Sequence, residues 1–228
     1  MPVRLSTVRD IVQNAGIKAL VYGPSGVGKT RLCATSYCPV IISAEGGLLT
    51  LMQEWPDVPA IEVASEQDCY DALALIMSPA GANFHTVCLD SITEIAEVVL
   101  SHMKANTKDG RAAYGEMNDR MAKIIRMFRD IRGKHVLFTA KETWHTDDVT
   151  KITKYYPSMP GNKLTGDMPY FFDEVFRADF GLDAQGRTTY YLQTKGDIRV
   201  TAKDRGQRLL EREYPDFTTI TSKCLGLM

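Results

Sequence analysis

The sequence predicts an α/β fold, a mainly parallel sheet flanked by helices and extended by antiparallel strands at its C-terminal end. Three observations carry this expectation. Short apolar runs alternate with segments of helical periodicity, the helical segments are long enough for parallel crossovers, and from Val175 onward the pattern changes to runs joined by turn-forming tetrapeptides. The 228 residues are 44% hydrophobic, which is enough for one substantial core and one domain.

In order along the chain, Ile17 to Tyr22 is a mostly apolar run that stops at Gly23 and reads as a buried strand entering a turn. Lys29 to Tyr37 reads as a helix, stopped before Pro39. Val40 to Ser43 and Ala60 to Val63 are further short strands. Tyr70, Leu73, Ala74 and Met77 have helical spacing within Gln67 to Met77, and Ser65 with Asp68 is a capping signal ahead of it. Thr86 to Leu89 is a strand ending in Asp90, followed by a helix over Ile92 to Met103. Met121, Ile124, Ile125 and Phe128 mark one face of a helix over Met117 to Ile131, and His135 to Ala140 is the next strand. Beyond it, Val175 to Leu182, Arg187 to Gln193 and Ile198 to Ala202 read as strands joined by Asp183-Ala184-Gln185-Gly186 and Thr194-Lys195-Gly196-Asp197. The least structured stretches are Ala105 to Ala113 and Glu142 to Gly166. The expected organisation is one domain over 1–228: an N-terminal segment (1–16), a parallel core (17–141), a mobile loop (142–167), an antiparallel extension (174–205) and a tail (206–228).

Charged residues make up 24% of the chain and the formal net charge is -1, which excludes a globally basic nucleic-acid coat and leaves only local patches. The five cysteines, Cys33, Cys38, Cys69, Cys88 and Cys224, have no metal-knuckle spacing; Cys88 reads as core and Cys33 and Cys38 as packing thiols, which fits a reducing, cytoplasmic setting. No run approaches the ~20 apolar residues of a membrane-spanning helix, so a soluble chain without a membrane partner is expected.

The strongest motif is Gly23-Pro24-Ser25-Gly26-Val27-Gly28-Lys29-Thr30, followed by Arg31: a P-loop, with a strand before it and a helix after it. Glycines let successive N–H groups turn inward onto phosphate oxygens, and the start of the helix adds its positive dipole end. In this pattern Lys29 reaches the β- and γ-phosphates of ATP and the Thr30 hydroxyl ligates Mg²⁺. Asp90, at the end of an apolar strand, is the carboxylate that supports the metal, with Ser91 or Asp90 itself also able to cap the next helix. Glu45, just past the second strand, is either an activator of the attacking water or an exposed loop acid.

In this order of residues the chain, from about Ile17 to Arg205, resembles the RecA-like recombinase ATPases. Ser43-Ala44-Glu45 looks like that family's Asp-Ala-Glu, which implies water activation by Glu45. Leu89-Asp90-Ser91 matches the end of its metal strand. Val136 to Lys141 looks like the strand ending in its γ-phosphate sensor, with Lys141 where the family usually has Gln; contact of Lys141 with phosphate is implied, and a direct copy of the DNA-triggered switch is not. Lys203-Asp204-Arg205 looks like the basic pair that touches ATP bound to a neighbouring subunit, which adds Lys203 and Arg205 to the nucleotide site in trans. The chain lacks the outer domains of full recombinases. With Pro160-Gly161-Asn162-Lys163 and Phe171 to Val175, it looks most like the core-only bacteriophage proteins of the AAA-type nucleotide-binding group linked to recombination and single-strand annealing.

The resemblance implies a RecA-like P-loop NTPase core that binds and hydrolyses ATP with Mg²⁺ and assembles into a ring or filament. It also implies action on single-stranded DNA, beside a single-strand DNA-binding protein, in the host cytoplasm if phage-encoded. The matching DNA-binding positions are Lys104, Lys108 and Arg111 in one weakly structured stretch and Lys151, Lys154, Tyr155, Tyr156 and Lys163 in the other. Lysines neutralise phosphates and tyrosines offer faces on which bases stack. Three alternatives are a nucleotide-gated adaptor that hydrolyses little (a helicase loader or recombination mediator), a ring motor, and a small-molecule P-loop kinase.

Overall fold

The computed structural model describes residues 5–107 and 109–228. In chain order its elements are α1 (Val8–Ala15), β1 (Lys18–Gly23), α2 (Lys29–Ala34), β2 (Pro39–Ser43), β3 (Ala60–Glu62), α3 (Glu66–Met77), β4 (Thr86–Asp90), α4 (Ile92–Asn106), α5 (Gly110–Arg129), β5 (His135–Thr146), β6 (Thr153–Pro157), α6 (Asn162–Asp167), β7 (Glu174–Leu182), β8 (Thr188–Gln193), β9 (Lys203–Asp204), β10 (Arg212–Glu213) and α7 (Phe217–Leu225). Short polar residues set the helix starts. Thr7 with Asp10 and Ser65 with Asp68 form capping boxes for α1 and α3, and Ser91, Asp109 and Asp216 cap α4, α5 and α7.

The strands form one sheet in the order β10-β8-β7-β1-β5-β4-β2-β3. From β7 to β3 neighbouring strands are parallel; β8, β10 and β9 join antiparallel at the β7 side, and β6 pairs antiparallel with the outer end of β5. β1, which leads into the P-loop, and β4, which ends in Asp90, are therefore separated by β5. The period of two sorts side chains into two layers. Leu20 and Tyr22 of β1 pack with Val87, Leu89, Val136 and Phe138 under α3, α4 and α5. Ala19 and Val21 pack with Ile41, Cys88, Leu137 and Phe176 under α2 and α7. Burial on both faces is why these strands read as continuous apolar runs. Among the described residues no helix is long and apolar enough to cross a membrane.

Several local expectations are corrected. The stretch expected as loose over 142–166 holds an antiparallel ladder from Glu142↔Pro157 to Thr146↔Thr153 and then α6. Its Thr, Trp and Tyr residues suit a pleated surface, and Asp147 Oδ1 accepts from Val149 and Thr150 N–H to close the turn. Between Ala105 and Ala113, α4 runs on to Asn106 and α5 already begins at Gly110, because Asp109 accepts from the Arg111 and Ala112 amides. The strand expected over Ile198 to Ala202 is absent among the described residues. Asp197 Oδ1 accepts from the Arg199 and Val200 amides and holds a turn there, so pairing with β7 starts only at Lys203. The tail beyond 206 carries β10 and α7, whose Phe217 and Ile220 are core residues. Cys33 and Cys88 are buried as expected and Cys69 is buried too, whereas Cys38 is exposed in the turn after α2.

Candidate functional site

β1 delivers the P-loop at the C-terminal end of the parallel sheet. A Cβ on Gly23 would lie 2.4 Å from the Ala178 carbonyl oxygen, so glycine is what lets β1 and β7 close on each other. Gly26 and Gly28 have φ of 78° and 91°, left-handed backbone that L side chains resist. Gly28 caps α2 with no side-chain acceptor, while Val27 is buried and anchors the loop to the α2 layer. Lys29 folds back onto its own loop, donating to the Gly23 and Pro24 carbonyls at 2.9 and 2.8 Å. Burial lowers its pKa, and the carboxylates of Glu45, Asp90 and Glu142 oppose that shift. Three acids drawn from three different segments thus act on Lys29, and the Lys141 ammonium opposes them.

Thr30 Oγ1 donates to Asp90 Oδ2 at 2.6 Å, which joins the P-loop to β4. The other oxygen, Asp90 Oδ1, accepts from Thr139 Oγ1 of β5. Asp90 is 2% exposed, so both oxygens are fixed by hydroxyls in a dry setting. Glu45 accepts from Ser91 Oγ, and the Ala44 amide donates to the Asp90 carbonyl, so the acid after β2 is tied to the end of β4. The peptide between Asp90 and Ser91 is cis. Thr30, Asp90 and Glu45 are all oxygen donors, the set that magnesium takes alongside phosphate.

Lys141 stands at the end of the inner part of β5, level with Gly23 across the β1 ladder. Its ammonium pairs with Glu94 of α4 at 2.5 Å, and that pairing raises its pKa. Arg31 turns away from the phosphate loop: it pairs with Glu54 at 2.8 Å and lies over the Trp55 ring. Lys203 and Arg205 are at the opposite pole, where β9 pairs with the first residues of β7. The Lys203 ammonium donates to the Pro169 and Phe172 carbonyls, and Arg205 donates to Asp173 and to the same Phe172 carbonyl. Both side chains reach one point, as their spacing predicts, and it is remote from the P-loop of the same chain.

The structure brings the two stretches singled out for nucleic acid together. Lys104 donates to the Tyr114 hydroxyl at 3.4 Å, and a Cβ on Gly161 would lie 3.3 Å from the Tyr114 ring, so the α4–α5 turn abuts the segment after β6. Arg111 and Lys163 are exposed beside it, Lys151 is exposed in the β5–β6 turn, and Lys108 lies outside the described residues. Lys154 sits over the Tyr156 ring. Tyr155 is not a free face: the Arg177 guanidinium covers its ring at 4.3 Å, and its carbonyl accepts from Tyr22.

Sequence reasoning missed Thr139, Thr93, Glu142 and Arg177. Thr93 Oγ1 accepts from the Lys141 amide and donates to the Ser158 carbonyl, locking α4 to both ends of the hairpin. Arg177 pairs with Glu142 at 2.6 Å and with Asp179. A lone threonine inside the apolar run Val136 to Ala140 was the one available signal for Thr139.

The strand order, with β5 between the P-loop strand and the strand ending in Asp90, and the joining of the P-loop to Asp90 and Glu45 define an α/β core built around a P-loop nucleotide site. The family model described as an AAA domain matches residues 15–206, and the chain belongs to that family. Among solved structures, one titled "Crystal structure of the RadB recombinase" is similar over 84% of this chain and 92% of that chain, with 18% identity and a TM-score of 0.46. No curated protein matches.

Proposed function

We propose that the chain binds ATP with Mg²⁺ at the P-loop, hydrolyses it, and uses the cycle to grip and release single-stranded DNA in recombination or strand annealing. The observation that carries this is the hydrogen-bonded link Thr30–Asp90–Thr139, since it places the P-loop hydroxyl, the metal carboxylate and strand β5 in one unit. β5 then continues without a break into the hairpin that carries Lys151, Lys154 and Tyr156.

In this proposal Lys29 leaves the Gly23 and Pro24 carbonyls for the β- and γ-phosphates, and the inward amides of the loop hold the remaining oxygens. Thr30 and Asp90 hold the magnesium, which when bound draws charge off the phosphate oxygens. Glu45, oriented by Ser91, takes a proton from the attacking water. Lys141 leaves Glu94 and contacts the γ-phosphate. In a ring or filament, Lys203 and Arg205 reach the phosphates held by a neighbouring copy, Arg205 exchanging Asp173 for phosphate. The phage group that the sequence resembles suggests a single-strand DNA-binding protein as a second partner.

The deciding experiment is ATP hydrolysis with and without single-stranded DNA, with Lys29→Ala as the blank. Stimulation by DNA that Lys29→Ala abolishes supports the proposal, and turnover equal to the blank in both conditions overturns it. The ion pair of Lys141 with Glu94, at the position of the expected γ-phosphate sensor, favours a second reading, a nucleotide-gated adaptor that hydrolyses little. Under that reading Glu45→Gln leaves function intact, and under the first it stops turnover.

A further inference from the structure

The P-loop strand has the metal side on one flank only. Asp90 on β4 and Glu45 after β2 lie to one side of β1, and β7 and β8 lie to the other. A nucleotide whose terminal phosphates face Asp90 and Glu45 therefore directs its other end towards β7 and β8. There β7 overshoots the P-loop. Ala178 is level with Gly23, and the strand continues to Leu182. At ~3.3 Å per residue, Phe180 stands roughly 7 Å beyond that level. Alternation puts Phe180 on the face of Phe176 and Ala178, and those two pack with Val27 of the P-loop and Leu32 of α2. Tyr190 is directly opposite Phe180 on β8, with ring centroids 6.3 Å apart. The two rings are 54% and 46% exposed, so they form a pair of aromatic faces that the core does not cover.

We infer that Phe180 and Tyr190 form the wall on which the base of the bound nucleotide stacks. This inference rests on the proposed phosphate site. Three features select a nucleobase over another apolar occupant. The wall is continuous with the P-loop through the Gly23–Ala178 contact, it lies on the layer of α2, and it stands on the flank opposite the metal carboxylates. Flat rings on a strand overhang are suited to a flat aromatic partner, and such stacking does not depend on which base is offered. The wall therefore accepts ATP and GTP alike unless another group discriminates.

The test is calorimetric binding of ATP and of inorganic tripolyphosphate, each with magnesium, to the wild-type chain, Phe180→Ala/Tyr190→Ala, Phe180→Tyr and Lys29→Ala. The double variant is expected to bind ATP roughly tenfold more weakly and tripolyphosphate unchanged, Phe180→Tyr to retain ATP affinity, and Lys29→Ala to lose both ligands. If the double variant binds ATP as the wild type does while Lys29→Ala does not, the wall is overturned and the phosphate site stands. If Lys29→Ala binds both ligands normally, the phosphate site fails and the wall fails with it. Because both rings are half exposed, a fold-stability loss is not expected, and unchanged tripolyphosphate binding verifies that the double variant is folded.

Discussion

Thr139 donates its hydroxyl to Asp90 Oδ1 from the neighbouring strand, while Thr30 holds Oδ2 of the same carboxylate. Asp90 is therefore oriented from the strand that lies between it and the P-loop. Thr139→Val keeps the shape and removes the donor, leaving a buried carboxylate oxygen without its hydroxyl. A loss of about 1–3 kcal/mol in urea unfolding is expected, together with a higher magnesium requirement for nucleotide binding. Thr139→Ser is expected to restore both, and wild-type magnesium dependence in Thr139→Val would remove Thr139 from the site.

Gly23 and Gly26 are needed for different physical reasons, and their alanine variants separate them. Gly23→Ala drives a methyl into the Ala178 carbonyl and forces β1 from β7, so a large loss of thermal stability is expected. At Gly26 no described atom lies within 4 Å of the added methyl, and only the left-handed backbone resists it. Gly26→Ala is expected to cost about 1–2 kcal/mol and to weaken nucleotide binding in a folded protein. Equal unfolding midpoints for the two variants would contradict this division.

Glu174 predicts a pH dependence of stability unrelated to catalysis. It is 2% exposed and paired across the ladder with Asp204, and burial, then Asp204 and Asp173, push its pKa from 4.5 up to about 8. The folded state therefore holds this proton more tightly than the unfolded chain does. Its contribution is fully present below about pH 4.5 and is lost as pH rises towards about 8. Glu174→Gln should flatten that fall and raise the melting temperature near pH 8. A variant whose stability curve parallels the wild type across this window would refute the assignment.

If the hairpin holds DNA, its lysines set the salt response. Each lysine removed at Lys151 or Lys154 is expected to lower the slope of log affinity against log salt by about 0.7, the value for one contact with a single strand. Fluorescence titration of single-stranded oligonucleotides at several salt concentrations measures it. An unchanged slope in the double alanine variant would place the DNA elsewhere.

Legibility in the sequence followed the range of the interactions concerned. The P-loop, the end of β4 and the Ser65–Asp68 capping box are local patterns, and each was readable within a few residues. Thr139 was not, because its role depends on β5 lying between β1 and β4, a register that no local window contains. The Glu142–Arg177 pair joins residues 35 apart, for the same reason. The β5–β6 hairpin was hidden by composition: its Lys, Glu and Asp residues suggested a loop, whereas its Thr, Trp and Tyr residues form the ladder. Arg31 follows the P-loop in sequence, but its pairing with Glu54 is long-range and no local window contains it.

β5 is 12 residues long, and only its inner part lies between β1 and β4. The rest projects past the sheet as an arm that carries the hairpin, clamped at its root and tied at Tyr155 to Arg199 and Thr201. In an arm of this kind, tilting at the root is magnified at the tip. Small adjustments around Asp90 would thus become visible displacements near Lys151, with the Arg177 and Tyr22 contacts acting as the brace that limits the swing.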